Sequence, residues 1–139
     1  MTEADVETNL RHPRVMIGSD GIPDLNGRPH PRLYGTFPRV LGHYVRELAV
    51  LPLAEAIRRM TSLSADRFGL VDRGRVMAGA WADLVLFDPA SVADTATWDD
   101  PQLEPAGISH VVVNGIVALA PGGHTGNRAG RPLRYRKPS

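Results

Sequence analysis

The sequence predicts an α/β part followed by a small all-β part, with the change between them near Asp72. Upstream of Asp72, apolar residues recur at helical spacing around one short, uniformly apolar run, Arg14–Gly18. Downstream, the apolar residues form short or alternating runs typical of strands, and Asn114–Gly115 marks a tight turn between two of them. The pattern therefore indicates two regions, residues 1–72 and 73–139.

Composition excludes several classes of protein. Of the 139 residues, 42% are hydrophobic and 22% charged, which favours a folded domain over a disordered or fibrous chain. The net charge of +1 gives no case for nucleic acid, despite a basic end at Arg131, Arg134, Arg136 and Lys137. Without cysteine, any metal must be held by His, Asp, Glu or a modified Lys. No run approaches the roughly 18 apolar residues of a membrane span, so we expect a cytoplasmic location.

The first predicted element is a helix with Thr2 as its N-cap and its end near Arg11, with acidic side chains in its first turns where the helix dipole favours them. The run Arg14–Gly18 follows and stops abruptly before Asp20. A strand that is apolar on both faces belongs to a parallel sheet covered by helices, so this run predicts a buried parallel strand. A loop bearing functional side chains is expected at its C-terminal end, where Asp20 stands.

Residues Ile22–Gly35 are rich in Pro, Gly, Asn and Asp and predict a long ordered loop of the kind that usually serves a site. Three helices are predicted after this loop, with boundaries set by capping residues, proline and glycine. They run from Thr36 to about Leu48, from Pro52 to about Met60, and from Thr61 to Gly69.

The region after Asp72 predicts four short strands. They are Arg75–Met77, Ala82–Phe87, Ile108–Val113 and Ile116–Leu119. Asn-Gly between the last two is a strong hairpin signal, because both turn positions require positive φ.

Asp20 is the candidate catalytic residue. A carboxylate at the mouth of a buried strand can ligate a divalent metal or accept a proton from a metal-bound water. Gly21 allows a substrate or metal to approach the backbone closely. The alternative is that Ser19 and Asp20 only form an Asx-type turn, and the tetrapeptide alone favours that alternative.

Longer stretches resemble a known family. The sequence RVMAGAWADLVLFD, from Arg75 to Asp88, resembles the signature that follows the barrel in the amidohydrolase superfamily, and Asn114–Gly115 resembles its later strand pair. The stretches VMIGSDG and HPRLYGTFPRVLGHY are similar to N-acyl-D-amino-acid deacylases, the D-aminoacylase branch. The resemblance runs from about Glu3 to about Gly115 and corresponds to the C-terminal third of such an enzyme.

This resemblance implies a (β/α)8 barrel with a β-sandwich assembled from both chain ends. Residues 1–72 would then be the end of the barrel, and 73–139 the C-terminal part of the sandwich. It also implies zinc-dependent hydrolysis of the acyl amide bond of N-acyl-D-amino acids, which are small-molecule substrates. Asp20 would be a zinc ligand and the general base and then acid, taking a proton from the bound water and giving it to the leaving amine. Arg32 would bind the substrate's α-carboxylate through its planar fork, whereas without the resemblance it is a surface loop cation.

Other polar and aromatic residues have simpler interpretations. They are His30 and His43, expected to be structural or solvent-facing; Asp83 and Asp88, expected to hydrogen-bond turns; and Trp81, Trp98 and Tyr44, expected to pack.

The family's H-x-H motif, its bridging position and its two later histidines have no counterpart in the sequence. A zinc site needs about three or four ligands, so we expect the isolated chain to be inactive. A complementing N-terminal chain or self-association is expected to cover its apolar surface. The alternative is a non-catalytic truncated remnant or an interaction module. A dihydropyrimidinase-like or dipeptidase-like specificity is disfavoured by the stretch HPRLYGTFPRV.

Overall fold

The computed structural model describes residues 2–23 and 27–134, so part of the predicted loop (24–26) and the basic residues Arg136 and Lys137 lie outside the described residues. Every helix in this described part is too short or too polar to cross a membrane. The elements, in chain order, are helices α1 (Glu3–Arg11) and α2 (Arg32–Arg39), a π-helix (Val40–Glu47), helices α3 (Leu53–Met60) and α4 (Ser62–Arg67), and strands β1 (Leu84–Phe87), β2 (Ile108–Val113), β3 (Ile116–Ala120) and β4 (Gly123–His124).

The described residues form two compact units. One is drawn from Met1–Met60 and Pro89–Gly107, and the other from Thr61–Asp88 and Ile108–Ser139. The first unit is mainly helical, and the second contains α4 and the sheet. The division at residue 72 between a barrel end and part of a β-sandwich stays a prediction.

Helix α1 begins and ends as predicted. The Thr2 hydroxyl accepts a hydrogen bond from the Asp5 N–H at 3.3 Å, and the Asp5 carboxylate accepts one from the Thr2 N–H at 2.7 Å. This reciprocal capping box satisfies backbone donors that the first turn of a helix leaves free. The helix ends at Arg11, where the His12 N–H donates to the carbonyl of Asn9 at 3.1 Å.

The run Arg14–Gly18 differs from its prediction, because it joins no sheet within the described residues. A parallel strand needs neighbours that exchange hydrogen bonds with it, and the sheet described here is antiparallel and consists of β1–β4. The run is held instead by α3, since the Ile17 N–H donates to the carbonyl of Arg59 at 3.3 Å. Asp20 follows this anchored segment.

The helix predicted from Thr36 begins earlier, at Arg32. Pro31 precedes it with helical φ and ψ, as suits a proline at a helix start. The Thr36 hydroxyl does not cap the helix but donates to the Arg32 carbonyl one turn back, at 2.8 Å. A threonine hydroxyl inside a helix commonly makes its hydrogen bond in this way. From Val40 the helix widens into a π-helix that ends at Glu47.

The core of the first unit lies where α1, the π-helix and α3 meet. Its buried members are Leu10, Val40, Tyr44, Val50, Leu51 and Ala56, and the partly buried side chains against it are Val6, Ile17, Val45 and Met60. Ile17 therefore ties the segment before Asp20 to this core.

Helices α3 and α4 are confirmed. The Ala56 N–H donates to the Pro52 carbonyl at 3.0 Å, which places Pro52 at the start of α3. Gly69 ends α4 with a φ of +62°, a conformation that glycine adopts without steric cost.

The second unit carries one antiparallel sheet in the order β1-β2-β3-β4. The predicted hairpin is confirmed, because Asn114 and Gly115 have φ of +50° and +83° between β2 and β3. The predicted strand Arg75–Met77 is wrong, since Arg75 lies in a bend and Val76 and Met77 have no regular secondary structure. Strand β4, which the sequence did not predict, pairs with β3 across a two-residue turn at Pro121-Gly122.

Candidate active site

Asp20 lies in a strained turn after the anchored segment. Its φ of +49° is unusual for a residue with a side chain, and such conformations are enriched at functional sites. The Ser19 hydroxyl accepts a hydrogen bond from the Gly21 N–H at 3.2 Å, so Ser19 supplies the turn contact. The Asp20 carboxylate is left facing outward, with 80% of the side chain exposed.

Arg32 brings its guanidinium to this carboxylate. Its Nη2 lies 3.1 Å from the Asp20 Oδ2, and its side chain is 40% exposed. The backbone N–H of Arg32, at the first turn of α2, donates to Nδ1 of His30 at 3.0 Å. The structure therefore places the two predicted site residues side by side across the loop that separates them in sequence.

The guanidinium of Arg32 has spare donor capacity. Its Nε is buried and has no hydrogen-bond partner among residues 2–23 and 27–134. A buried donor without an acceptor costs about 1–3 kcal/mol, so an incoming acceptor gains by meeting it. An exposed ion pair is worth only about 0–1 kcal/mol, so the Asp20–Arg32 pair can be exchanged for a ligand carboxylate at small cost.

A cavity of about 320 Å³ adjoins Arg32. His30 and Trp98 stand at its wall with ring centroids 4.5 Å apart in an edge-on arrangement. Arg39 also lines it and pairs with Asp94 at 3.4 Å. The cavity is therefore polar on its Arg39 side and aromatic on its Trp98 side.

Arg39 and Tyr44 are electrostatically linked on the helix that begins at Arg32. Burial works against the charge of Arg39, but the Tyr44 hydroxyl and Asp94 outweigh it and raise the pKa of the guanidinium. Burial, followed by the hydrogen bond to Glu3 at 2.6 Å, raises the pKa of the Tyr44 phenol. Tyr44 thus packs as predicted and also ties this helix to α1.

Several other predicted residues make contacts of their own. His43 contacts Glu47 through Nδ1 at 2.9 Å. Asp83 pairs with Arg73, and its Oδ1 accepts the Asn114 N–H at 2.8 Å, so it hydrogen-bonds the hairpin turn as expected. Trp81 packs beneath the guanidinium of Arg131, and Cζ of Arg131 lies 3.6 Å from the centroid of the Trp81 ring.

The described residues do not by themselves fit a complete zinc site. No group of three or more His, Cys, Asp or Glu side chains in them is close enough to hold a metal ion. A protein zinc site takes about three or four ligands, and Asp20 is one carboxylate.

Arg59 supports the segment that leads to this site, and the sequence analysis did not predict it. It is 3% exposed, and its guanidinium contacts the chain that leads to Asp20. The helical spacing of apolar residues on α3 predicts which apolar side chains are buried, but it gives no information on the arginines. Arg59 therefore cannot be distinguished in the sequence from Arg58, which is more exposed.

The chain belongs to the amidohydrolase family, because the model of that family matches residues 4–118. It is 55% identical over 133 residues to the D-aminoacylase of Alcaligenes xylosoxydans xylosoxydans, an alignment that covers 96% of this chain and 27% of the relative. It is 52% identical to the N-acyl-D-glutamate deacylase of the same organism, with the same coverage of both proteins. The chain thus spans about a quarter of the length of these curated relatives.

A solved structure agrees with these relatives. The N-acyl-D-glutamate deacylase of Bordetella bronchiseptica superposes with a TM-score of 0.88 at 50% identity, over 96% of this chain and 28% of that one. That protein was crystallised with zinc and a phosphonate that mimics the tetrahedral intermediate. The fold described above is therefore a portion of an amidohydrolase fold that includes a small antiparallel sheet.

Proposed function

We propose that this chain supplies part of the active site of a zinc-dependent hydrolase that cleaves the acyl amide bond of N-acyl-D-amino acids. The observation that carries the proposal is the Asp20–Arg32 pair, an exposed carboxylate and a guanidinium 3.1 Å apart in a member of the amidohydrolase family. The names of relatives that are 50–55% identical support this substrate class. In the whole protein, residues 1–72 would end a (β/α)8 barrel and 73–139 would form part of a β-sandwich.

Arg32 is proposed to bind the α-carboxylate of the substrate. A guanidinium pairs with a carboxylate through two parallel N–H donors, which fixes orientation as well as position. Its Nη2 is held only by an exposed ion pair and its Nε has no hydrogen-bond partner among the described residues, so both donors have a hydrogen bond to gain. Binding of the substrate carboxylate would also release Asp20 from its ion pair.

Asp20 is proposed to be the general base and then the general acid. It accepts a proton from the attacking water as the water oxygen bonds to the acyl carbon. It then donates that proton to the nitrogen as the carbon–nitrogen bond breaks, so the products are a free amine and a carboxylic acid. An exposed carboxylate next to the group that anchors the substrate is suitably placed for both transfers.

Zinc is the proposed cofactor, with Asp20 as one ligand. The deacylase of Bordetella bronchiseptica contains zinc, whereas the described residues here offer no cluster of ligands. The remaining ligands are therefore proposed to come from a longer polypeptide or a complementing chain. When bound, the ion would polarise the acyl carbonyl.

A second candidate function is a non-catalytic interaction module. Leu84, Val85 and Leu86 of the edge strand β1 are exposed by 38%, 55% and 60%, although they alternate between the two faces of the sheet. An exposed apolar edge strand readily pairs with another polypeptide. Such pairing is compatible with a complementing chain or with self-association.

Activity measurements distinguish these functions. The chain is assayed for zinc content and for hydrolysis of N-acetyl-D-amino acids, alone and mixed with a D-aminoacylase truncated to lack the matched segment. Activity only in the mixture, lost when the chain carries Asp20→Asn, supports the proposed function. A folded mixed complex without activity contradicts it and supports the interaction module.

A further inference from the structure

The guanidinium of Arg59 is buried against the end of α1. Its Nη1 donates to the carbonyls of Leu10 and His12, at 2.6 and 2.9 Å. Carbonyls at the C-terminus of a helix lack intrahelical partners, and a cation there also complements the helix dipole. Arg59 therefore fixes the place where α1 ends and the segment toward Asp20 begins.

Glu55 holds this guanidinium in place. Its Oε1 lies 2.7 Å from Nε of Arg59, one turn along α3, and its Oε2 lies 2.7 Å from Nε of Arg58. Arg58 in turn donates through Nη2 to the carbonyl of Pro13 at 3.2 Å. A buried charge must be paired and hydrogen-bonded, and Arg59 meets both conditions.

The main chain of Arg59 holds the other end of the same segment. Its carbonyl accepts the N–H of Ile17 at 3.3 Å, and the Ile17 side chain packs on the core. Arg59 therefore contacts Leu10 and His12 through its guanidinium and Ile17 through its main-chain carbonyl, and Asp20 lies three residues after Ile17.

We infer that Arg59 is a positioning residue for Asp20: it sets where the carboxylate stands relative to Arg32 without touching substrate. The inference rests on the proposed function. Arg32 belongs to α2 and is oriented by His30, so a change at Arg59 should move the proposed base and leave the proposed carboxylate anchor in place. The expected signature is a loss in kcat with little change in KM, which a general loss of packing would not produce.

The experiment compares chains that carry Arg59→Met, Arg59→Lys and Arg11→Met in the mixture with the truncated D-aminoacylase. Arg11→Met is the matched control, because it removes a guanidinium from an exposed ion pair with Glu7 on α1. Kinetics are measured together with amide hydrogen exchange of residues 13–20. Misplacement by about 1 Å can cost roughly 100-fold in rate, so we expect Arg59→Met to lower kcat by about 10- to 100-fold.

KM, hydrogen exchange and the two other variants distinguish a positioning role from a general loss of packing. KM for Arg59→Met should stay within about twofold, while amides of residues 13–20 exchange at least about tenfold faster. Arg59→Lys retains a charge and should recover part of kcat, and Arg11→Met should match the parent chain. Equal kcat in Arg59→Met and the parent, or a rise in KM as large as the fall in kcat, overturns the inference.

The test still applies if Arg59→Met does not fold or if the parent mixture is inactive. If Arg59→Met does not fold, Arg59→Lys takes its place, and a lysine chain with parental kcat and parental exchange at Ile17 overturns the inference. If the parent mixture itself shows no hydrolysis, the proposed function fails independently. Hydrogen exchange is then the deciding measurement: parental protection of all the amides of residues 13–20 in folded Arg59→Met refutes the positioning role.

Discussion

The Nη2 atom of Arg32 lies 3.1 Å from Oδ2 of Asp20, and the side chains of Arg32 and Asp20 are 40% and 80% exposed. Each group therefore has a partner in the free protein that holds it only weakly, because exposed ion pairs contribute about 0–1 kcal/mol. A substrate carboxylate that binds Arg32 would replace Asp20, and the released carboxylate would then be free to take a proton. Under the proposed function, the pair would link substrate binding to the availability of Asp20 as the base.

Replacement of Arg32 tests the binding half of this arrangement. In the complemented protein, Arg32→Met should raise KM for N-acetyl-D-amino acids by about 10- to 100-fold, because a hydrogen-bonded charge pair is worth about 1.5–3 kcal/mol. The control is Arg11→Met, which removes an exposed guanidinium paired with Glu7. Steady-state kinetics with parental KM for Arg32→Met would rule out the proposed contact.

Replacement of Asp20 tests the proton-transfer half. Asp20→Asn keeps the shape of the side chain but cannot accept the proton, so kcat should fall by at least about 100-fold. Folding should be nearly unaffected, since the side chain is 80% exposed. Asp66→Asn removes another exposed carboxylate, paired with Arg75 at 2.7 Å, and should leave kcat unchanged. A chain with Asp20→Asn that retains most of its activity would exclude Asp20 as the base.

Local signals in the sequence were sufficient for some elements. Thr2 and Asp5 lie within one turn of each other, so their capping box depends on no distant part of the chain. Asn114–Gly115 predicts its hairpin for the same reason, because both residues adopt the positive φ that the turn requires.

Signals whose outcome depends on distant parts of the chain predicted two elements differently from the structure. Thr36 has the residue type of an N-cap, yet Pro31 starts the helix one turn earlier and the threonine bonds back to Arg32. The apolar run Arg14–Gly18 predicts a parallel strand, but the neighbours such a strand needs are not among the described residues. For the site, family motifs predicted Asp20 and Arg32, which the structure brings to 3.1 Å of each other. Arg59 was not predicted, because its burial depends on the distant carbonyls of Leu10 and His12.

Gly107 should tolerate a side chain poorly, because the backbone of Val92 lies close to it. A Cβ at this position would lie 2.5 Å from the backbone nitrogen of Val92, a fully buried residue, and the φ of Gly107 is +74°. Gly79 has a similar φ of +86° but open space around it. Gly79→Ala should therefore cost only the backbone strain, roughly 1–2 kcal/mol. Gly107→Ala should cost about 1–3 kcal/mol more because of the overlap.

Urea unfolding of the two alanine variants, followed by circular dichroism, measures this difference. The comparison isolates the close approach to Val92, since both variants carry a comparable φ penalty. Equal losses in the free energy of unfolding would show that the segment near Val92 shifts to accept the methyl group.

Glu55 should make the stability of the protein depend on pH in acid. The hydrogen bonds from Arg58 and then Arg59 lower the pKa of its carboxyl from 4.5 to about 2. Because the folded-state pKa is lowered, the contribution of this carboxylate is fully present above the unfolded value of 4.5. It is lost progressively as the pH falls from there through about 2. Glu55→Gln removes the titration and leaves the side chain's size unchanged.

The parent chain should therefore be more stable than Glu55→Gln above the carboxyl's ordinary pKa of 4.5, and the gap should close as the pH approaches about 2. Urea unfolding at a series of pH values across this window measures the gap directly. Glu7→Gln is the control, because Glu7 also pairs with an arginine one turn away, at 3.2 Å, but makes no contact with the buried guanidinium of Arg59. If the difference in the free energy of unfolding between the parent and Glu55→Gln stays constant down to the lowest pH, the ion pairs of the Glu55 carboxylate with Arg58 and Arg59 do not contribute to stability.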